Sequence, residues 1–333
     1  MTVPLSSTET YDNTVLSNFK RCPRYYYYRD ILNLVPEALS TPLVFGSAWG
    51  KALDAVWTSV GASPRLSLSD VYDNGVAAFN AEWSKAGLPL DLDKMLEREL
   101  SPRTPQTAAA MLAAYLDERR NLLESAETEL IGIEQSFIIP LDTKEGIYYC
   151  GLLDKLLRHH GKILCIDHKS TAQYKKEGYF KSIFMDSFSP NSQVDGYLYA
   201  LHYLFPEEDP AVWIDAALVH KAETGFTIVP IEKQLAHLQA WRWEALYWIR
   251  AVQQEKLKLR FVEPSSPFMD AFPRNTNNCF AYMTACPYMD ICRAWTNPVG
   301  QEVPPGFRVE QWKPLERTDK PPLMTPRRSP ANA

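Results

Sequence analysis

The chain has 333 residues, of which 46% are hydrophobic and 23% charged, as in an ordinary globular protein. Its net charge of −5 gives no overall attraction to nucleic acid, so DNA would have to bind at a local basic groove or through metal ions. No stretch approaches the ~20 apolar residues that cross a bilayer, and residues 1–12 do not resemble a signal peptide. We therefore expect a cytoplasmic protein.

Residues 1–127 are predicted to be mostly helical. Within residues 46–60, for example, Trp49, Leu53 and Val56 recur at the spacing of one helix face. A charged connector at 87–104 has room for one more short helix. The predicted helices cover residues 13–28, 46–60, 68–86 and 105–124.

The pattern changes to strands at about residue 129. Ser189 is expected to cap a helix that has Pro190 in its first turn and ends at Phe205. A tight turn is predicted at residues 159–161. The order is strand-strand-strand-helix-strand-strand-helix, which predicts an α/β fold. The strands are expected at 130–140, 146–158, 162–168, 211–221 and 226–231, and the last helix at 232–259.

Beyond residue 261 the chain is rich in proline and cysteine, and from Lys313 onward we expect an extended or poorly ordered tail. The predicted organisation therefore has four parts. They are a helical N-terminal region at 1–127, a core at 128–260, a cysteine-bearing segment at 261–300 and a proline-rich tail at 301–333.

Two acidic residues and a lysine stand on neighbouring predicted strands. Alternate residues of a strand face opposite sides, so Asp167 and Lys169 share a face and His168 points away. Asp154, thirteen residues before Asp167, lies across the hairpin. The two carboxylates, with the backbone carbonyl of His168, can hold Mg²⁺ or Mn²⁺ for phosphodiester hydrolysis. An isolated D-x-K triplet is more often a surface salt bridge, but its position after G-x-x-D at the end of an apolar strand favours a site.

The segments GLLD (151–154) and IDHKST (166–171) resemble motifs II and III of PD-(D/E)XK nucleases of the RecB/AddB branch, which includes CRISPR-adaptation nucleases. That family commonly has Q-x-x-x-Y on the next helix, which Gln193 and Tyr197 match, and a glutamate in an upstream strand, which Glu134 matches. The resemblance implies that Gln193 and Tyr197 position DNA and the active-site lysine, and that Glu134 supports the metal. It also implies a restriction-endonuclease-like core, with a mixed central sheet flanked by helices.

In one position the chain departs from this family. The family often has G-x-x-x-H near its N-terminus, with the histidine as a metal ligand, whereas Gly50 occupies that position here, four residues after Gly46. A water molecule is then expected in place of one protein ligand. The departure leaves open an alternative, a catalytically weakened subunit that binds DNA or a partner protein within a nuclease complex.

The six cysteines fall into two groups. Cys150 and Cys165 lie within apolar strand-like runs and are expected to pack in the core. The other four suit a [4Fe–4S] cluster or a tetrahedral Zn²⁺, although the tight C-x₂-C pairs typical of zinc sites are missing. One early and three late cysteines resemble the iron–sulfur staple of AddB-type and CRISPR-adaptation nucleases. These four are Cys22, Cys279, Cys286 and Cys292.

The resemblance implies a Mg²⁺- or Mn²⁺-dependent deoxyribonuclease, with exonuclease action on DNA ends or single strands as the expected mode. It suggests a prokaryotic or phage-infected cell, and a helicase, recombination or CRISPR protein as partner. A metal–sulfur structural protein without a nucleic-acid role is a further alternative. The candidates for a local basic groove are Lys169, Lys175, Lys176 and Lys181.

Overall fold

The computed structural model describes residues 9–61, 66–175, 179–281 and 284–327, without the side chains of residues 174, 175 and 179. Lys176 and the side chain of Lys175, both part of the predicted basic groove, therefore lie outside the described residues. In the described part of the chain, no helix is long and apolar enough to span a membrane.

Helices predominate in the first part of the chain. The predicted helix at 13–28 is in fact divided at Cys22, whose backbone is extended, and Pro23 begins the next helix. The predicted helix at 105–124 is interrupted at Arg119. The elements are β1 (Glu9–Tyr11), α1 (Asn13–Arg21), α2 (Pro23–Tyr26), a π-helical turn (Tyr27–Ile31), β2 (Leu34–Pro36), α3 (Thr41–Val60), α4 (Leu68–Lys85), α5 (Lys94–Leu100), α6 (Pro105–Glu118) and α7 (Arg120–Glu124).

The second part of the chain contains the long strands, and their predicted order with the two main helices is confirmed. The structure adds two short strands and one short helix after the third long strand. The elements are β3 (Thr128–Asp142), β4 (Ile147–His159), β5 (Lys162–Thr171), β6 (Tyr174–Lys175), β7 (Tyr179–Phe180), α8 (Ser182–Asp186), α9 (Ser192–Leu204), β8 (Ala211–Leu218), β9 (Gly225–Ile231), α10 (Leu235–Leu259), a 3₁₀ turn (Thr276–Asn278), α11 (Met289–Ala294), β10 (Phe307–Val309) and a 3₁₀ turn (Pro314–Arg317).

The start of α9 differs from the prediction. Ser189 was expected as the cap, but Asn191 is the N-cap, and its side chain accepts hydrogen bonds from the backbone N–H groups of Gln193 and Val194. One amide oxygen thus satisfies two of the N–H groups that a helix start leaves without partners. The prediction of Ser189 as the cap is therefore wrong by two residues.

The main sheet has six strands and is mixed. Its strand order is β1-β4-β5-β8-β9, with β3 also paired to β4. The pairs β4–β5 and β8–β9 are antiparallel, whereas β1–β4 and β5–β8 are parallel. Between β4 and β5, His160 and Gly161 both have positive φ, +48° and +77°, as the predicted tight hairpin turn requires.

The chain divides into two compact units. The first unit comprises Met1–Leu39, Ile138–Gly151 and Gln239–Asp319, and the second comprises Ser40–Phe137, Leu152–Leu238 and Lys320–Ala333. The first unit contains the four outer cysteines, and the second contains the D-x-K strand. Each unit is described separately below.

The core of the second unit lies between the helices α3, α4 and α6 and the strands β4, β5 and β8. Trp49, Trp57 and Trp83 are fully buried there, and each such side chain contributes ~1.5–3 kcal/mol of burial free energy. Leu323, in the last segment of this unit, is buried and forms a β-bridge with Phe137. In its described part the predicted extended tail contains the turn at Pro314–Arg317 and a further turn at residues 305–306.

The core of the first unit is aromatic. Tyr26, Tyr27 and Tyr28 are buried, and the rings of Tyr26 and Phe272 stack with centroids 5.7 Å apart. Tyr28 contacts Tyr288 at a centroid distance of 5.4 Å. The aromatic run beside Cys22 therefore packs inside this unit.

Candidate active site

The strand β5 places Asp167 and Lys169 on one face, as predicted. Asp167 is 2% exposed, and its Oδ2 lies 2.7 Å from the Nζ atom of Lys169. Among the described residues, this ammonium is the one close partner of that buried oxygen. The Lys169 side chain is 32% exposed, so the ion pair extends from the core to the surface.

Asp154 lies beside this pair on β4. The register Lys155–Ile166 sets Asp154 opposite Asp167. Asp154 Oδ2 accepts a hydrogen bond of 3.0 Å from the backbone N–H of His168. The carboxylate is thereby held against the residue between Asp167 and Lys169, and its second oxygen stays available.

The charges of the three groups depend on one another. Burial raises the pKa of Asp167, as does the neighbouring Asp154, while Lys169 lowers it, and the net shift is upward. Burial lowers the pKa of Lys169, but the two aspartates outweigh burial and raise it. Lys169 is therefore a cation at neutral pH, next to two acidic groups.

Gln193 and Tyr197 lie on α9 and contact the backbone of β4. The Tyr197 hydroxyl donates a hydrogen bond of 2.9 Å to the carbonyl of Leu152, and Gln193 Nε2 donates to that hydroxyl at 3.0 Å. Because Leu152 is two residues before Asp154, the pair anchors the strand that carries this aspartate.

A buried polar network lies on the opposite face of β5. His168 Nδ1 is 3.4 Å from Asp215 Oδ2, and the two residues are partners in the β5–β8 pairing. Asp215 also accepts hydrogen bonds from the Arg119 guanidinium at 2.9 Å and from the Tyr115 hydroxyl at 2.9 Å. Burial raises the pKa of Asp215, but His168 and Arg119 outweigh it and hold the pKa below its ordinary value.

Glu134 forms contacts of another kind. Its carboxylate lies 2.6 Å from Lys51 Nζ, and Lys51 also contacts Asp54 at 3.2 Å. Asp54 in turn pairs with the fully buried Lys155 at 2.6 Å. Glu134 has φ +46°, a left-handed conformation that is uncommon for a residue with a side chain. Among the residues that the structure describes, Glu134 pairs with Lys51 and with neither Asp154 nor Asp167.

The segment of α3 that departs from the family pattern lies against the D-x-K strand. A Cβ atom added at Gly46 would be 3.9 Å from Ser170 Oγ on β5. A Cβ added at Gly50 would meet nothing within 4 Å. The open space at Gly50 can therefore accept a side chain.

The donor chemistry of the two aspartates fits a hard divalent cation. Asp167 Oδ2 and the second oxygen of Asp154 are carboxylate oxygens, the ligand type that Mg²⁺ and Mn²⁺ prefer. Across residues 9–61, 66–175, 179–281 and 284–327, no three His, Cys, Asp or Glu side chains form a group that can hold a metal ion. The remaining ligands would then be water, substrate and the backbone carbonyl of His168.

The four outer cysteines share one cavity in the first unit. This cysteine cavity has a volume of about 250 Å³ and is lined by Cys22, Cys279, Cys286 and Cys292. All four are free thiols, and Cys22 Sγ accepts a hydrogen bond of 3.2 Å from the backbone N–H of Asn275. By contrast, Cys150 and Cys165 are buried in the core, as predicted.

A larger cavity of about 960 Å³ in the second unit does not coincide with the aspartates. Its lining includes Asp117, Glu118 and Glu223, and none of Asp154, Asp167 and Lys169. Acidic side chains repel a nucleic-acid backbone. We therefore assign the site from the carboxylate–lysine geometry and not from cavity size.

Several residues of the site region had not been anticipated from the sequence. Lys155 and Asp215 each stand within an apolar strand, and a charged residue in such a run signals a buried partner. Their partners come from distant helices: Asp54 in α3, and Tyr115 and Arg119 in α6. A single sequence carries no signal that identifies these partners.

Comparison with known proteins gives one family. Residues 13–293 match the family model described as the PD-(D/E)XK nuclease superfamily. No curated protein matches the chain. Among solved structures, the one titled "Crystal structure of SSO0001" is 12% identical, and the match covers 74% of this chain and 78% of that chain with a TM-score of 0.27. A likeness at that TM-score carries no argument.

Proposed function

The chain belongs to the PD-(D/E)XK nuclease superfamily, and we propose that it is a metal-dependent deoxyribonuclease. Its α/β fold, a central mixed sheet flanked by helices, agrees with the restriction-endonuclease-like core expected from the sequence. The observation that carries the proposal is the ion pair between the buried Asp167 and Lys169 on β5, with Asp154 opposite Asp167 on the neighbouring strand β4.

Asp154 and Asp167, with the backbone carbonyl of His168, would hold the Mg²⁺ or Mn²⁺ ion. Bound there, such an ion supplies an acidified water and positive charge for the scissile phosphate. Asp154 keeps its orientation through the hydrogen bond from the His168 N–H, and Asp167 keeps its orientation through burial. Both carboxylates are thus fixed before an ion arrives, which limits the entropy lost on binding.

Lys169 would act on the phosphate side of the reaction. Its ammonium is charged and partly exposed, so it can orient the attacking water or stabilise the charge that develops on the phosphate. Gln193 and Tyr197 support this arrangement through the hydrogen bond to Leu152, which fixes the strand before Asp154. Glu134 is proposed only as a supporting carboxylate, because its described partner is Lys51.

We propose exonuclease action on DNA ends or single strands as the mode. The test uses linear DNA labelled at the 5′ or the 3′ end and circular DNA, with Mg²⁺, Mn²⁺ or a chelator. A ladder of short products from linear DNA alone supports the exonuclease mode, and cleavage of circles would show an endonuclease instead.

The same assay tests the role of Lys169. Lys169→Ala should lower the rate at least about 100-fold, as loss of one preorganised charge-stabilising group does in other enzymes. Lys162→Ala, a change of an exposed lysine on the same strand, is the matched control and should leave the rate unchanged. Equal rates for Lys169→Ala and the wild type would contradict the assigned role.

The alternative is a catalytically weakened subunit that binds DNA or a partner, and Gly50 is the observation that favours it. If Gly50 weakens the site, Gly50→His should raise metal-dependent cleavage, since the added Cβ meets no atom within 4 Å. If the wild type cleaves DNA and Gly50→His cleaves it no faster, this alternative is rejected.

We further propose that the four outer cysteines bind a [4Fe–4S] cluster, with Zn²⁺ as the less favoured occupant. Two observations support the proposal: the thiols line one cavity, and Cys22 Sγ already accepts a backbone hydrogen bond. Among the described residues the thiols do not form a group that could hold a single metal ion, which favours a larger cluster over Zn²⁺. The cluster would join α1–α2 to the segment 279–292 within the first unit. Iron, sulfide and zinc analysis of anaerobically purified protein tests the proposal.

Membership of the RecB/AddB branch, including the CRISPR-adaptation nucleases, is part of this proposal. It rests on the motifs at 151–154 and 166–171, the Gln193–Tyr197 pair and the cysteine pattern. It would make DNA repair, recombination or CRISPR DNA processing the pathway, with a helicase or a CRISPR or recombination protein as partner. If the protein holds metal at its cysteines but neither binds nor cleaves DNA, it is instead a metal–sulfur structural protein without a nucleic-acid role.

A further inference from the structure

The cysteine cavity is surrounded by positive charge. Besides the four thiols, its described lining contains four arginines and no carboxylate. Three of these arginines lie toward the surface or have other partners. Arg21 lies over the ring of Tyr25, Arg274 donates to the carbonyl of Cys292, and Arg293 is 65% exposed.

Arg24 differs from the other three because it is buried. It is 3% exposed, and its Nε and Nη2 atoms donate to the carbonyls of Phe272 and Met269 at 3.0 and 3.5 Å. Among the described residues its Nη1 atom is buried without an acceptor of good geometry, although the guanidinium lies close enough to the Tyr28 hydroxyl to interact with it. Among the residues that the structure describes, no carboxylate pairs with it. A buried cation without a counter-ion is unfavourable, so this arrangement favours an anion beside Arg24.

Tyr28 presents a second donor of the same kind. Its side chain is 0% exposed, it lines the same cavity, and its hydroxyl has no acceptor. Two residues with buried donors thus line a cavity that the four cysteines also line. An anionic metal–thiolate group would satisfy both, because thiols lose their protons when they bind metal.

We propose that Arg24 is the buried counter-ion of the cluster in the cysteine cavity, and that the Arg24 Nη1 and Tyr28 hydroxyl groups donate hydrogen bonds to its sulfur atoms. The inference rests on the cluster proposed above. Both residues act through the cysteines and are positioning residues. Such outer partners fix the ligands and tune the affinity of the group they surround.

Arg24 also stabilises the chain by capping two backbone carbonyls, and the test must separate the two roles. A cap alone contributes equally to the metal-free and the metal-loaded protein. A counter-ion stabilises only the loaded protein, and without metal the buried charge is unfavourable. Two measurements therefore distinguish the roles: the rate at which the cluster is lost, and the free energy of unfolding of the metal-free chain.

The experiment uses the full chain reconstituted anaerobically with iron and sulfide, and follows the visible absorption of the cluster after a chelator is added. Arg24→Met should lose the cluster about 10- to 100-fold faster than the wild type. Arg24→Lys, which keeps the charge, should lose it at an intermediate rate. Arg260→Met removes an equal charge from an exposed position outside the cavity lining and should behave as the wild type.

Tyr28→Phe is the smallest change, because it removes only a hydroxyl that has no acceptor among the described residues. It should lose the cluster about 2- to 10-fold faster, as expected for one hydrogen bond. The metal-free variant should unfold at the same urea concentration as the metal-free wild type, or at a higher one.

The outcomes separate the inference from the proposals it rests on. A wild type that takes up neither iron with sulfide nor zinc would overturn the cluster proposal and this inference together, and the DNA-cleavage assay would be unaffected. A wild type that holds the cluster while Arg24→Met and Tyr28→Phe release it equally slowly would overturn this inference alone. So would an Arg24→Met chain destabilised as much without metal as with it.

Discussion

Asp154 combines two roles in one side chain. One oxygen accepts a hydrogen bond from the backbone N–H of His168, which ties β4 to β5, and the other is proposed to bind the metal. An amide can perform the first role, because its oxygen also accepts a hydrogen bond, but it has no negative charge to offer a cation. The two roles can therefore be separated by one substitution.

Asp154→Asn should leave the free energy of unfolding nearly unchanged while weakening Mn²⁺ binding about 10-fold or more, since a charged ligand is lost. Urea unfolding measures the first quantity and isothermal titration calorimetry with Mn²⁺ the second. Asp154→Ala is the companion variant and should lose stability as well, because the His168 N–H is left without its acceptor. Unchanged Mn²⁺ affinity in Asp154→Asn would remove this residue from the metal site.

Behind the D-x-K strand, Arg119 and Asp215 form an ion pair that is almost wholly buried. Arg119→Met should destabilise the protein by about 3–5 kcal/mol, because it leaves the Asp215 charge buried with only Tyr115 and His168 beside it. Arg119→Met combined with Asp215→Leu should recover part of that loss. Chemical denaturation of both variants checks this, and equal stabilities for the single and the double variant would contradict it.

At the level of elements, two helix glycines have opposite surroundings. Gly50 in α3 has open space at its Cβ position, whereas a Cβ at Gly75 in α4 would lie 2.6 Å from Leu112 and 3.3 Å from Val56. Gly75 thus permits the close approach of α3, α4 and α6, and Gly50 has no such packing role.

Gly50→Ala should stabilise the protein by up to about 1 kcal/mol, the difference in helix propensity between the two residues. Gly75→Ala gains the same propensity but overpacks the core, which costs about 1–3 kcal/mol. Thermal unfolding of both variants measures the difference. A Gly75→Ala protein as stable as Gly50→Ala would show that Leu112 and Val56 can move aside at no cost.

The elements also show what a sequence can predict. Periodicity identified α4 and the five long strands to within three residues, because each presents a regular apolar face, whereas α3 begins at Thr41, five residues before its predicted start. The break at Cys22 and the cap at Asn191 were not anticipated, because they depend on single backbone conformations. The D-x-K face follows from strand alternation alone. The partners of Lys155 and Asp215 are set by tertiary packing, which no local pattern encodes.

At the level of the whole molecule, stability should depend on pH through Asp30. Burial raises the pKa of Asp30 to about 7, and the hydrogen bond from Asn18 only partly offsets it. The folded state therefore binds a proton that the unfolded chain, with a pKa of about 3.9, releases earlier. The free energy of unfolding should decrease as pH rises from about 4 to about 7, and this contribution is constant above that range.

Asp30→Asn removes the ionisation and keeps an acceptor for Asn18. The free energy of unfolding of the variant, relative to that of the wild type, should therefore increase from pH 5 to pH 8, by up to a few kcal/mol. Urea titrations at the two pH values measure it. Asp117→Asn, at a side chain 81% exposed, is the control and should parallel the wild type. If the free energy of unfolding of Asp30→Asn also has the same pH dependence as that of the wild type, Asp30 is ionised freely in the folded state.

The central claim is that Asp154, Asp167 and Lys169 form a metal-dependent nuclease site. Its most direct test is the rate of hydrolysis of labelled single-stranded DNA as Mn²⁺ is increased, for the wild type and for Asp167→Asn. We predict a rate that rises with Mn²⁺ and saturates for the wild type, and a loss of at least about 100-fold in the variant. Equal rates for the two proteins at every Mn²⁺ concentration would contradict the claim.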